Sequence, residues 1–177
     1  VLDATDQISL FIYNIPVTVN GYNLSTDLFT QMLETKRIAG IKNSSGSVAD
    51  IMRFRLAGGD DIAIFNGADE QYLGARMMGA SGGIGGTYGY MPELYLKLEN
   101  YIRKAEFEKA YALQKQLFAL INFTFHTKSL YAAAKEVLRL RGLDVGSVRP
   151  PFLPLSGDEF KIVQALYEKI QEVNNNF

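Results

Sequence analysis

Cysteine is absent from this chain of 177 residues, and histidine occurs only once, at position 126. Without cysteine the chain can form neither a disulfide nor a thiolate metal site, and a single histidine excludes a histidine-rich metal centre. We therefore expect no metal and no bound cofactor. A chain without cysteine also suits a reducing compartment, so the expected location is the cytoplasm.

Long hydrophobic runs and an excess of one charge are also missing. No stretch reaches the roughly 18 apolar residues of a membrane-spanning helix. The formal net charge is −1, whereas nucleic-acid binding usually requires a basic surface. With 47% hydrophobic and 21% charged residues, the composition is that of a globular protein. We expect a small-molecule partner, and neither nucleic acid nor a membrane.

What the sequence does contain is an alternation of strand-like and helix-like segments in its first half. Four apolar runs of strand length cover residues 9–15, 37–42, 61–66 and 81–86. Helical patterns separate them, the second opened by Ser47 and Asp50 as a capping box and the third by Asp69 and Glu70. This alternation predicts βα units in an α/β fold with a parallel sheet.

After Gly89 the strand-like runs stop and only helical patterns follow. They include segments near 127–141 and 158–173, the latter opened by a capping box from Ser156 to Glu159. Residues 148–154 contain three prolines and predict an extended connector. His126 falls in an amphipathic helical pattern and is interpreted as structural. We expect two parts, residues 1–90 and 91–177.

Lys42 is the most unusual candidate residue, because it ends an apolar run at the carboxyl end of a predicted strand. Ligands bind at that end of the strands in parallel α/β proteins. Burial lowers the pKa of a lysine from about 10.4, and the neutral amine can then attack a carbonyl and form a Schiff base. The alternative is a lysine whose charged end reaches solvent. Position alone favours that alternative.

Other polar residues follow the predicted strands, and each has a structural alternative. Tyr13 could relay a proton or be a core tyrosine. Ser44 could bond a substrate oxygen or cap the next helix. Asp69 and Glu70 could hold sugar hydroxyls or stabilise a helix start. The glycine-rich stretch 82–89 lacks the spacing of a dinucleotide- or phosphate-binding loop, because the third glycine of that motif would fall on Tyr88.

Five stretches, in this order, resemble the dihydrodipicolinate synthase/N-acetylneuraminate lyase superfamily of Schiff-base aldolases, and most closely its lyase branch. They are FIYNIP (11–16), GIKNSSG (40–46), FNGADE (65–70), GASGGIGGTYGYMPE (79–93) and RPPFLPL (149–155). The resemblance implies an eight-stranded (β/α) barrel with three further C-terminal helices, usually a homotetramer. Only four strands are predicted here, so the chain looks like the C-terminal half of such an enzyme.

The resemblance also assigns roles and parts. Residues 1–90 would form a half TIM barrel carrying the active-site lysine, and residues 91–177 the last barrel helix and the helical extension. Lys42 matches the Schiff-base lysine, and Tyr13 the tyrosine that assists proton transfer. Four positions match contacts to sialic acid: Ser44, Gly67, Asp69 and Glu70. Gly86 departs from the pattern, since the lyases typically carry a serine there that bonds the sugar.

The implied reaction is cleavage of N-acetylneuraminate to N-acetylmannosamine and pyruvate through an imine on Lys42. Two alternatives stay open. One is another pyruvate-dependent aldolase, either a 2-keto-3-deoxy sugar acid aldolase or dihydrodipicolinate synthase. The other is a non-catalytic half-barrel.

The chain alone is expected to be inactive, because the barrel half that would complete it is missing. Its first and last strands would be unpaired edges. Phe11, Ile41 and Ile64 are expected to face an emptied barrel interior. The missing N-terminal half is thus an expected partner, together with further copies of the chain.

Overall fold

The computed structural model describes residues 8–177, which form two compact units that adjoin between Gly85 and Gly86. The boundary suggested by the sequence, between residues 90 and 91, falls inside the second unit. The first unit contains β1 (Leu10–Asn14), α1 (Thr26–Glu34), β2 (Ile38–Asn43), α2 (Val48–Gly58), β3 (Ala63–Asn66), α3 (Tyr72–Met77) and β4 (Gly82–Gly83). The second contains α4 (Pro92–Arg103), α5 (Phe107–Thr124), α6 (Leu130–Leu140) and α7 (Glu159–Asn176).

The four strands form one parallel sheet in the order β1-β2-β3-β4, so the predicted α/β class and its four βα units are confirmed. Strand β4 has only two residues, because glycines supply no side chains to pack on a sheet face. Within the described sheet, β1 and β4 are the edge strands. All four carboxyl ends therefore lie along one rim of the sheet.

One face of the sheet packs against the helices and carries the core of the first unit. Ile41 and Ile64 are completely buried there, together with Phe29 of α1 and Phe54 of α2, whose rings meet edge to face at 5.0 Å. The expectation that Ile41 and Ile64 face the barrel interior is therefore wrong. Side chains alternate along a strand, and these two isoleucines have the opposite phase to Lys42.

Arg55 ties two loops together at the amino ends of β3 and β4. Its guanidinium donates hydrogen bonds to the carbonyl oxygens of Gly59, Ile62 and Gly79 and to the hydroxyl of Ser81. The side chain is only 18% exposed. Because a planar guanidinium offers five donors in a fixed arrangement, one residue satisfies acceptors from both loops.

The second unit is helical, as predicted, with α5 packed on α4 and α7, and α6 packed on α7. Its core includes five completely buried leucines: Leu94, Leu98, Leu113, Leu117 and Leu166. Residues 141–158 form no helix or strand, consistent with the predicted connector. His126 lies in a turn just after α5, so its predicted place inside a helix is wrong. Among residues 8–177, no helix has both the length and the hydrophobicity to cross a membrane.

The two predicted capping boxes have different outcomes. Glu159 accepts hydrogen bonds from the backbone N–H and the hydroxyl of Ser156 and from the N–H of Lys128, which lower the pKa of its carboxyl. The box at Ser47 is wrong: α2 begins at Val48, but the Ser47 side chain makes no cap hydrogen bond. The Asp50 carboxylate instead turns away from Ser47 into a buried network.

Candidate active site

Tyr13 and Lys42 occupy register-paired positions near the carboxyl ends of β1 and β2. Lys42 Nζ donates a hydrogen bond of 3.0 Å to the Tyr13 phenol oxygen, and it lies 4.1 Å from the centre of the same ring. The backbone pairing sets this approach, because residues opposite each other on adjacent strands point to the same face. The face is the one turned away from the helices.

This pair alters the acidity of the phenol. The hydrogen bond from Lys42 lowers the pKa of Tyr13 below its ordinary value of 10.0, and the Ser44 hydroxyl acts in the same direction. Partial burial of the phenol opposes the shift. A tyrosine with a lowered pKa gives up its proton more readily, so the phenol can exchange protons with a group bound at Lys42.

The surroundings of the pair are apolar and open. A depression of about 390 Å³ is lined by Phe11, Ile12, Tyr13, Lys42, Phe65 and Ile84. The rings of Phe11 and Phe65 lie 6.0 Å apart across β2, and Phe11 is 54% exposed. Exposed aromatic residues on this face agree with the expectation for Phe11. Lys42 is half-buried here rather than enclosed.

Gly40 makes the arrangement of Phe11 possible. A Cβ atom at this position would stand 2.3 Å from Phe11 Cε1 and 2.4 Å from the carbonyl oxygen of Ala63. Real Cβ atoms essentially never come within 3.0 Å of another heavy atom. A glycine two residues before Lys42 therefore lets the Phe11 ring lie across β2, on the same face as the lysine.

The loop after β2 meets the loop after β3 at Ser44 and Gly67. A Cβ atom at Gly67 would stand 1.9 Å from Ser44 Oγ, so a side chain here would displace the Ser44 hydroxyl. The Ser44 hydroxyl is buried and close enough to the Tyr13 phenol to lower its pKa, but it makes no hydrogen bond of ordinary geometry to any described residue. A buried hydroxyl in that state is a ready partner for a polar ligand atom.

Asp69 and Glu70 belong to a short 3-10 turn, Asp69–Gln71, that precedes α3. Asp69 is 6% exposed, and its carboxylate lies against the backbone of Gly85, where a Cβ atom would come within 1.5 Å of Oδ1. Glu70 is half-buried. The structure thus places Asp69 in a tight backbone contact.

Gly86 is exposed in the second unit and has room for a side chain. The nearest atom to a Cβ built there is Leu130 Cδ2 at 3.7 Å, an ordinary contact distance. A serine would fit at this position without displacing its neighbours.

The sequence model of the Dihydrodipicolinate synthetase family matches residues 1–170. The chain belongs to this family. The predicted resemblance is therefore confirmed.

Named members of the family are similar to this chain in sequence and structure. An N-acetylneuraminate lyase of Mediterraneibacter gnavus is 38% identical over 176 residues, which cover 98% of this chain and 56% of the lyase. A catalytic lysine mutant of the Ruminococcus gnavus sialic acid aldolase is 36% identical with a TM-score of 0.94, covering 99% of this chain and 58% of that one. An N-acetylneuraminate lyase of Fusobacterium nucleatum complexed with pyruvate is 29% identical with a TM-score of 0.87, covering 96% of this chain and 56% of that one.

The chain thus spans little more than half the length of these relatives. It corresponds to the C-terminal half of their TIM barrel and the helices that follow, as the sequence predicts.

Within the first unit, the structure joins two pairs of the residues that the family resemblance selects, Tyr13 with Lys42 and Ser44 with Gly67. Sequence reasoning missed Phe65 and Ile84 in the lining, and it assigned no role to the three buried asparagines that end β1, β2 and β3: Asn14, Asn43 and Asn66. The available signal was one residue type at the same place in three strands. Across residues 8–177, no three His, Asp or Glu side chains are grouped closely enough to hold a metal ion.

Proposed function

We propose that this chain supplies the imine-forming half of an aldolase that cleaves N-acetylneuraminate to N-acetylmannosamine and pyruvate. The observation that carries the proposal is the 3.0 Å hydrogen bond between Lys42 Nζ and the Tyr13 phenol on the open face of the sheet. Three relatives support it, since one is named N-acetylneuraminate lyase, another is described as a catalytic lysine mutant, and a third is complexed with pyruvate.

The proposed reaction begins when the neutral amine of Lys42 adds to the C2 ketone of the open-chain sugar acid. Water leaves and an iminium ion forms. The C4 hydroxyl then loses its proton, the C3–C4 bond breaks, and its electrons move into the iminium to give an enamine. The C4 fragment departs as the aldehyde of N-acetylmannosamine. Protonation of the enamine at C3, followed by addition of water, releases pyruvate and the free amine.

Tyr13 is the proposed proton carrier in these steps. Its phenol already shares a hydrogen bond with the amine that reacts, and Lys42 lowers the pKa of that phenol. A group that accepts and returns a proton at the reacting atoms typically accelerates a reaction about 10²–10⁴-fold. The lysine is the nucleophile in this scheme, and the tyrosine is the acid and base.

Substrate contacts are proposed for the polar residues around the pair. The buried Ser44 hydroxyl supplies one hydrogen bond, and Gly67 keeps the backbone close to it. Glu70 offers a carboxylate to the polyhydroxylated tail, while Asp69 holds the loop through its contact with Gly85. A site of this kind discriminates against analogues that lack hydroxyls, because its polar groups are then left unpaired.

The proposed active form is a complete barrel, and further copies of it are proposed to form a tetramer. Strands β1 and β4 are edges of the described sheet, and unpaired edges bind further strands.

We define the completed barrel as this chain preceded by the matching N-terminal segment. That segment comes from its own gene where the reading frame continues upstream, and otherwise from the Mediterraneibacter gnavus lyase.

Steady-state kinetics of the completed barrel with N-acetylneuraminate and with 2-keto-3-deoxygluconate test the proposed substrate. We expect a clear preference for N-acetylneuraminate. Gly86→Ser should increase it, because the family resemblance implies a sugar-bonding serine at this position and a Cβ there meets no closer atom than Leu130 Cδ2 at 3.7 Å. A preference for the shorter sugar acid would assign the protein to the keto-deoxy-sugar aldolases instead.

The second candidate is a non-catalytic half-barrel. It is favoured only by the observation that this chain covers 56% of the length of the Mediterraneibacter gnavus lyase. The same lyase assay on the 177-residue chain, with its size measured by light scattering, separates the two. We expect an associated, inactive chain that gains activity in the completed barrel. An inactive completed barrel would favour the non-catalytic candidate, and an active monomeric chain would contradict the need for the N-terminal half.

A further inference from the structure

A closed set of hydrogen bonds lies on the helix-facing side of the sheet, directly behind Tyr13 and Lys42. Asn14 and Asn43 follow those two residues in sequence, pair with each other in register, and are 5% and 3% exposed. Because side chains alternate along a strand, their amides point away from the open face. Asn14 and Asn43 are thus the sequence neighbours of the proposed catalytic residues, with their side chains on the opposite face of the sheet.

Five residues make up this set, which we call the polar circuit: Asn14, Asn43, Ser45, Asp50 and Asn23. One arm runs from the Asn14 amide to Asn43 at 2.7 Å, from Asn43 to the Ser45 hydroxyl at 3.0 Å, and from Ser45 to Asp50 at 2.6 Å. The other runs from Asn14 to Asn23 at 2.7 Å and from Asn23 to Asp50 at 3.2 Å. The two arms meet on the same oxygen, Asp50 Oδ2.

The direction of the hydrogen bonds makes Asp50 the final acceptor of the polar circuit. The Asn14 amide nitrogen donates into both arms, and the carboxylate oxygen of Asp50 accepts from both. Asp50 is 4% exposed, and its other oxygen faces Arg53, whose side chain is 62% exposed. These hydrogen bonds hold the pKa of Asp50 below its ordinary value even though burial opposes them. An ionised carboxylate, which has no proton to donate, can end both arms.

The polar circuit connects four separate segments of the first unit. It joins the last residues of β1 and β2 and the first turn of α2, and the side-chain oxygen Oδ1 of Asn14 also accepts a hydrogen bond from the backbone N–H of Leu24, just before α1. Asn14 directly follows Tyr13 in β1, and Asn43 directly follows Lys42 in β2. The hydrogen bond from Asn14 to Asn43 therefore links the two strands that carry Tyr13 and Lys42. A satisfied buried network of this kind makes its surroundings rigid.

We propose that Asp50 is a positioning residue. Through the polar circuit it holds the ends of β1 and β2 in the register that brings the Tyr13 phenol to Lys42 Nζ. Its kinetic consequence rests on the proposed function, whereas its effect on the Tyr13–Lys42 contact does not. A displacement of about 1 Å at a reacting group can cost about 10²-fold in rate.

Variants of the completed barrel separate the circuit from its surroundings. Asp50→Ala removes the acceptor of both arms, while Asp50→Asn keeps a carbonyl oxygen that can still accept from them. Arg53→Ala is the matched control, because it removes only the exposed partner on the other oxygen. Ser45→Ala interrupts one arm, and Ser45→Thr is its control because it keeps the hydroxyl. These two variants test the proposal even if Asp50→Ala does not fold.

The first measurement is single-turnover trapping of the pyruvate adduct with borohydride, which gives a rate constant and an amplitude. We expect Asp50→Ala to lower the rate constant about 10²-fold with the amplitude retained. Ser45→Ala should lower it less, and Asp50→Asn, Ser45→Thr and Arg53→Ala should stay close to the parent. A purely structural role would instead reduce the amplitude, because part of the protein would be unfolded.

The second measurement needs no turnover. Ultraviolet titration of each variant, with and without Tyr13→Phe, isolates the Tyr13 phenol. We expect its pKa to rise toward that of an ordinary tyrosine in Asp50→Ala and Ser45→Ala, because the contact with Lys42 is loosened.

Folded Asp50→Ala protein with a parental trapping rate and a parental titration would overturn the proposal. So would a loss confined to the amplitude. If the parent forms no adduct at all, the proposed function fails, while the titration still decides the role of the circuit.

Discussion

Gly40→Ala is the single substitution whose effect on the first unit follows most directly from distances. The added Cβ would stand 2.3 Å from Phe11 Cε1 and 2.4 Å from the Ala63 carbonyl oxygen. The Phe11 ring can turn aside on the open face, but the Ala63 carbonyl is held by the pairing of β2 with β3. This backbone must move by several tenths of an ångström before the contact reaches 3.0 Å. We expect the free energy of unfolding to fall by about 3 kcal/mol, the upper end for overpacking.

Urea denaturation of the completed barrel, followed by circular dichroism, measures this change. Gly74→Ala in α3 is the matched control, because a Cβ there meets only Val48 Cγ1, at 3.6 Å. In a helix interior that exchange favours folding by up to about 1 kcal/mol. Imine trapping on Gly40→Ala should also slow, since the displaced Phe11 ring lines the depression beside Lys42. A Gly40→Ala protein as stable as the parent, beside a normal control, would refute the reasoning.

Three further substitutions test other parts of the structure. Tyr13→Phe should lower turnover about 10²–10⁴-fold in steady-state assays, and a parental rate would remove the phenol from the chemistry. Arg55→Lys should destabilise the protein by about 1–3 kcal/mol in urea, because an ammonium cannot reach all four acceptors; an unchanged midpoint would contradict this. The pKa of Glu159 is lowered by hydrogen bonds from Lys128 and Ser156, so its contribution to stability is complete above its ordinary pKa of 4.5 and is lost as the pH falls through the lower folded value. Stepwise acidification should therefore lower the Tm of the parent more than that of Glu159→Gln, and parallel profiles would contradict the assignment.

The order of elements could be predicted because parallel strands leave a strong pattern. Apolar runs separated by helical stripes indicated all four strands, and polar residues after those runs indicated the rim that carries Tyr13 and Lys42. An apolar run that ends in a lysine is a local feature, so it can be recognised in the sequence without knowledge of distant contacts. The same holds for the hydrogen bonds between Ser156 and Glu159.

The direction in which each strand residue points could not be predicted in the same way. Both faces of a parallel barrel sheet are buried in a complete barrel, so the apolar run contains no alternation that marks its inner face. The assignment of Ile41 and Ile64 to the interior failed for this reason, and both pack under the helices. Lys42 itself fixes the phase, because residues two apart share a face.

The polar circuit escaped prediction because it joins two groups that are far apart in sequence, Asn14 with Asn23 and Asn43 with Ser45 and Asp50. Asn14 and Asn43 are joined by the register of β1 and β2, which no local pattern reveals. The failed box at Ser47 belongs to the same problem. Asp50 looked like the partner of Ser47, but its carboxylate accepts from Ser45 and Asn23 instead.

Mapping the adduct is the most direct test of the central claim that Lys42 forms the imine. The completed barrel is incubated with pyruvate and borohydride, digested, and its peptides are identified by mass spectrometry. We predict one reduced pyruvate adduct, on the peptide that contains Lys42, and no adduct and no turnover in Lys42→Arg, because a guanidinium presents no neutral amine. An active enzyme with its adduct on another lysine, or a Lys42→Arg variant that still cleaves the substrate, would contradict the account.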